Sequence, residues 1–349
     1  MKLEEALKNI QPADSQAMEA AWEHWNNIAI PLHSLGRLQD TIVRIAGMTG
    51  NPKVDLSKKA LVVMCADNGV VEEGVTQSGQ EVTLLVSENF LNKKATASIF
   101  CQHTGADIFP VDIGIASDSK IINRKIAYGT KNMTKEPAMT REEAVRAIEV
   151  GIQMVEELKN QGYRIIATGE MGIGNTTTSS AVTSVLLEVE PEKVTGRGAG
   201  LSSEGLQKKI RAIERALELH RPDRNDPVDV LAKVGGFDLA GLAGVFIGGA
   251  VYQIPVIADG FISCTAALCA VRMCPEVRDY LITSHKSKEP AANMVLKALD
   301  IPVFLDCDMC LGEGSGAVAI YPLLELALKI YYSMCTFADN HMDNYISLS

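Results

Sequence analysis

Residues 163–180 read YRIIATGEMGIGNTTTSS, and this stretch decides the fold. An apolar run from Tyr163 to Thr168 ends in glycines and then in hydroxyl residues. That order spells a strand, a tight loop and a helix start. Such a loop aims backbone N–H groups at one point, and the dipole of the following helix favours an anion there. The spacing nearly fits a P-loop: Gly169, four residues, Gly174, Asn175, Thr176. A P-loop needs lysine where Asn175 stands, to reach the outer phosphates. A monophosphate or carboxylate therefore suits this turn better than a triphosphate. The competing bland reading is a plain strand–helix turn with a Thr-rich start.

Outward from this turn, apolar runs alternate with helical stretches. The strand-like runs are Ala60–Cys65, Asp107–Val111, Tyr163–Thr168, Val230–Val234, Pro255–Ala258, Arg278–Thr283 and Pro302–Leu305. Amphipathic stretches at 141–160 and 203–218 lie between them. Such alternation, with mostly apolar strands, predicts a doubly wound, mainly parallel α/β sheet covered on both faces. Residues 1–50 carry apolar side chains at helical spacing, and 323–349 read helical again. The expected organisation is a small helical domain from 1–55 plus 323–349, and a large α/β domain from 56–322. Glycines and carboxylates follow nearly every apolar run, among them Asp67, Asp112, Asp238 and Asp259. In open α/β sheets that edge binds ligands.

Composition narrows the functional classes. The net charge is −10 and aromatic content is 5%. Both argue against a nucleic-acid surface, and the charge argues against an anionic membrane. The longest apolar stretch, Leu239–Tyr252, suits a buried helix better than a membrane span. Residues 1–10, MKLEEALKNI, lack an apolar core, so no leader is expected and the chain reads as cytoplasmic. Eight scattered cysteines fit a reducing compartment, and Cys307–Cys310 is a lone CxxC read as incidental thiols. No metal cluster is discernible. His285 is the one histidine in a candidate loop, and no G-x-S-x-G elbow precedes a helix. What remains is a carboxylate base beside a bound phosphate. Glu313, set among Gly312, Gly314, Ser315 and Gly316, is the candidate, because small neighbours admit a substrate and apolar walls raise a carboxyl pKa. Its bland reading is an acidic residue at a helix start. Glu170 would repel an anion, so it faces a hydroxyl or a cation, or bonds the loop backbone.

Several blocks together resemble the nicotinate-nucleotide:dimethylbenzimidazole phosphoribosyltransferases. They are SLGRLQ at 34–39, MCADNGVVEEGV at 64–75, GEMGIGNTT at 169–177, KVGGFDLAGLAG at 233–244, ADGFISCTAAL at 258–268, SHKSKE at 284–289 and LGEGSGA at 311–317. The resemblance implies a pentosyltransferase without a cofactor. It would move phosphoribose from nicotinate mononucleotide to an aromatic lower-ligand base in cobamide synthesis. By position, Glu313 matches the catalytic base. Glu170, Gly172, Asn175, Thr176 and Thr177 match the nucleotide loop, with Gly198, Lys209, Asp259, Gly260, Phe261 and Ser287 as further nucleotide or phosphate contacts. Ser78, Leu311 and Gly312 match the base pocket. The family implies a homodimer, or a heterodimer with a paralogue for phenol acceptors. Asn68 stands where the family commonly has His, Gly79 where Pro is common, and His33 where Gly is usual. Two other classes stay open: a P-loop-like kinase, and a non-catalytic or partner-dependent homologue.

Overall fold

The computed structural model describes residues 1–345. Its centre is a seven-stranded sheet. The strands are β1 (Lys59–Ala66), β2 (Ala106–Gly114), β3 (Ile122–Asn123), β4 (Ile165–Met171), β5 (Val256–Ala258), β6 (Leu281–His285) and β7 (Val303–Leu305). Their order is β3-β2-β1-β4-β5-β6-β7, and every pairing is parallel. This is the doubly wound α/β arrangement, and the strand order reverses between β1 and β4. All eight residues of β1 are buried, as a strand covered on both faces requires.

Glycine sets the closest helix packing. The helices Arg141–Asn160 and Phe237–Val251 cross at Gly151 and Gly244. A Cβ at Gly244 would strike the Ile148 carbonyl. The stretch around Leu239–Tyr252 is indeed a core helix, with Phe237 through Ala250 all buried. Among the described residues no helix is long and apolar enough to cross a membrane.

Two strand expectations fail. Val230–Val234 lies in a helix, Pro227–Val234. A short apolar run reads the same for a strand and a buried helix turn. The deciding signal is upstream: the Asp226 carboxylate accepts from the Val228 and Asp229 N–H groups, and Pro227 occupies the first helical position. The run at Arg278–Thr283 is displaced. Pro275–Tyr280 is a 3-10 turn and the strand begins at Leu281. The two-residue β3 is too short to leave a pattern.

Both chain ends meet. The helices Ser15–Asn27 and Tyr321–Ser333 bring Trp25 and Tyr331 to 5.0 Å between ring centroids. An antiparallel bridge joins Ile28 to Thr336, with Ala29 N–H donating to Cys335 O at 3.0 Å. One apolar cluster runs from these helices into the sheet. The part of the C-terminal expectation at 346–349 lies outside the described residues.

Candidate functional site

A cavity of about 460 Å³ opens at the carboxyl ends of the strands, beside the β1/β4 reversal. Fourteen of the fifteen residues singled out from the sequence line it: Ser78, Glu170, Gly172, Asn175, Thr176, Gly198, Lys209, Asp259, Gly260, Phe261, Ser287, Leu311, Gly312 and Glu313. Thr177 does not line it. It sits fully buried in the first turn of its helix, and its hydroxyl has no partner among the described residues.

The turn after β4 is built by its glycines. Gly172 packs so close to β1 that a Cβ would strike the Ala66 carbonyl. Gly174 adopts φ +95° and hands the chain to the helix Asn175–Leu187. The Asn175 amide donates to the Glu170 carboxylate. The residue at the P-loop lysine position therefore holds a carboxylate in place, and no cation stands there. Burial pushes the Glu170 carboxyl well above the usual carboxylate range, and Asp238, Asp259 and Glu313 push the same way. Asp238 lies outside the sequence-derived set. It is buried behind Asn175, with one oxygen accepting from Leu239 N–H at 2.9 Å and the other without a partner among the described residues. Burial raises its carboxyl to about 7.

The cavity holds one buried lysine. Lys209 projects from the helix Ser203–His220 and is 1% exposed. Its ammonium donates to Thr176 Oγ1 at 2.8 Å and to Gly196 O at 3.1 Å. Both partners are neutral, and burial lowers the amine to about 8, with Glu289 opposing. Gly198, at φ +52°, lies against Thr176. Ser287, in the loop after β6, also lines the cavity, and its hydroxyl accepts from Glu289 N–H at 3.3 Å. Arg197, missed from the sequence, also lines it, and its guanidinium donates to Leu201 O at 2.7 Å and Ser203 Oγ at 3.1 Å. Its place beside Gly198 in TGRGAG was the available signal.

Three carboxylates, Glu170, Asp259 and Glu313, line the same cavity and push on one another. Gly312, Glu313 and Gly314 take φ of +87°, +63° and +86°. A left-handed Glu between two left-handed glycines is a strained conformation of the kind held at functional sites. The turn rests on β4, since a Cβ at Gly169 would strike the Glu313 carbonyl. A Cβ at Gly312 would strike the Glu170 carboxylate. Glu313 Oε2 accepts from Ala97 N–H at 3.2 Å, at the start of the helix Thr96–Thr104. It thus caps a helix, but a different one from the helix that follows it. Burial raises its carboxyl above the usual value, partly offset by that N–H. Asp259 Oδ1 accepts from Ala317 N–H at 2.9 Å and lies 3.8 Å from His285 Nδ1. Asp259 therefore buttresses the Glu313 turn as well as lining the cavity. Apolar walls come from Val75, Val86, Met171, Ile173 and Leu311. Asn68 lies behind this wall, its amide 3.4 Å from Ile173 O.

The chain resembles known proteins over nearly its whole length. A family model described as a phosphoribosyltransferase matches residues 10–342. The chain is 48% identical over 344 residues to the nicotinate-nucleotide–dimethylbenzimidazole phosphoribosyltransferase of Acetivibrio thermocellus, covering 98% of each chain. It is 46% identical over 340 residues to the protein of the same name from Clostridium tetani, covering 97% of this chain and 94% of that one. The crystal structure of the Thermus thermophilus protein of that name superposes with a TM-score of 0.88 at 37% identity, covering 95% of this chain and all of the other.

Proposed function

The chain belongs to the nicotinate-nucleotide–dimethylbenzimidazole phosphoribosyltransferase family, and from that premise we propose that its cavity carries out the transfer with Glu313 as base and Lys209 as phosphate anchor. The substrate is nicotinate mononucleotide, and the acceptor is an aromatic lower-ligand base of cobamides. The single observation that carries the assignment of roles is that one cavity holds both a buried Lys209 and a cluster of carboxylates, Glu170, Asp259 and Glu313, that push on one another. A phosphoribosyl group carries a dianion at its 5′ end and develops positive charge at C1′ as its glycosidic bond breaks. The cavity is complementary to both.

The phosphate seats against Lys209, Thr176, Ser287 and the helix start at Asn175. The pyridinium of nicotinate mononucleotide is already cationic, so nicotinate leaves without an acid. The C1′–N bond to nicotinate breaks, and a C1′–N bond to the incoming base forms on the opposite face. The base's N–H proton passes to Glu313, whose raised pKa suits it to that role near neutral pH. Positive charge at C1′ favours the ionised form of Glu170, against the push it feels from burial and its neighbours. Holding both reactants in line supplies part of the rate, up to roughly 7–11 kcal/mol for ideal alignment. Leu311, Gly312 and Ser78, with the apolar wall, hold the flat acceptor.

Residues 1–55 and 323–345 form a small helical domain on the large domain at 56–322, and the chain works as a cytoplasmic homodimer. Exposed Leu85, Leu91 and Ile99 on the helices Glu81–Leu91 and Thr96–Thr104 support pairing.

The test is nicotinate release from nicotinate mononucleotide by the purified chain, against 5,6-dimethylbenzimidazole, other benzimidazoles, adenine and phenols. Release together with a ribotide of matching mass identifies the acceptor. No release with any base would contradict independent catalysis by this chain.

A further inference from the structure

Glu289 has no role in the chemistry above. It lines the cavity beside Lys209. Its Oε2 is buried and has no hydrogen-bond partner among the described residues. The carboxylate lies against Gly196, where a Cβ would collide with it. Gly196 is also the residue whose carbonyl accepts from Lys209. Lys209 therefore has two neutral hydrogen-bond partners and one buried carboxylate close by. Burial raises the Glu289 carboxyl, while Lys209 and the Gly198 N–H pull it back. The other charged or titratable groups lining the cavity are Glu170, Arg197, Asp259, His285, Cys310 and Glu313. Lys286 is turned to Asp306 and Lys288 is exposed.

We infer that Glu289 is the counter-charge of Lys209 and takes up one proton from solvent when a phosphomonoester binds there. This rests on the assignment of Lys209 as the phosphate anchor. A phosphate dianion drawn to Lys209 comes close to Glu289, and two anions cannot share one buried cation without cost. The carboxylate becomes a neutral carboxyl, and its proton can then be donated to a phosphate oxygen. Lys209 contributes little uptake at pH 7, because an amine near 8 is already mostly protonated there. Glu289 is thus a positioning residue that makes nucleotide binding depend on pH.

The experiment is calorimetric titration of nicotinate mononucleotide at pH 7 in two buffers of different ionisation heat, with wild type, Glu289→Gln and Lys209→Met. Wild type is expected to take up about half a proton or more, and Glu289→Gln close to none. Glu289→Gln should also bind up to about tenfold more tightly at pH 8. No uptake by wild type overturns the inference without reference to any variant. Equal uptake in Glu289→Gln, or weaker binding by it, also overturns it and points to a contact with a ligand hydroxyl instead. Wild-type affinity unchanged in Lys209→Met removes the anchor itself, and the inference with it.

Discussion

Two glycine-rich turns meet in this cavity, and they differ in almost everything except their glycines. The turn at 169–177 leaves β4 in the middle of the sheet, where residues 165–170 are all buried. The turn at 311–317 follows β7, an edge strand whose three residues are only half-buried, and Leu311 beside it is 55% exposed. The first turn keeps its non-glycine residues in ordinary backbone geometry and pins Glu170 with Asn175. The second forces Glu313 into the left-handed region. A central strand gives a rigid seat, which the proposed reaction uses for the phosphate, the part of the substrate that does not react. An edge turn, braced by Ala97 and Asp259, places Glu313, the proposed base.

The sharpest way to break this division is Glu313→Gln. It keeps the shape and removes the base, so kcat should fall by about 10²–10⁴-fold while nucleotide affinity holds. Steady-state kinetics with a fixed acceptor decides it. Lys209→Met should do the reverse, weakening nicotinate mononucleotide binding by about 10–100-fold, as loss of a buried charge-assisted contact of ~1.5–3 kcal/mol implies. Gly169→Ala tests whether the turns depend on each other. Its methyl would strike the Glu313 carbonyl, and the expected cost is about 1–3 kcal/mol of stability in denaturant titration, with activity lost alongside. The pH profile of kcat/KM should be a bell. Its acid limb lies above the ordinary carboxylate range, because Glu313 must be ionised and burial opposes that. Its alkaline limb falls near 8, because Lys209 loses its charge as pH rises through that value. Asn68→His, at a buried position outside the cavity lining, should change the acceptor KM by only about two- to fivefold, roughly 0.4–1 kcal/mol.

How much was legible in the sequence follows the same contrast. The β4 turn was readable because a buried parallel strand is a continuous apolar run, and its glycines and hydroxyls follow at once. The Gly312–Gly316 turn was readable only as Gly and Glu in alternation, since the short strand before it leaves little pattern. That Glu313 caps the helix Thr96–Thr104 could not be read at all, because the contact spans 216 residues of chain. Glu170 looked misplaced beside an anion site until Asn175 was seen to hold it. Asp238 and Glu289 could not be singled out from the other loop carboxylates, since a loop carboxylate reads as a turn residue until burial strips it of water. The Val230–Val234 run fits either element because its four apolar residues are too few to show a period, whereas Asp226-Pro227 settles it.

The most direct test is nicotinate mononucleotide affinity, measured by calorimetry on Glu313→Gln and Lys209→Met side by side. The account predicts wild-type affinity in Glu313→Gln and at least about tenfold weaker binding in Lys209→Met. Weak binding in Glu313→Gln with full binding in Lys209→Met would contradict it.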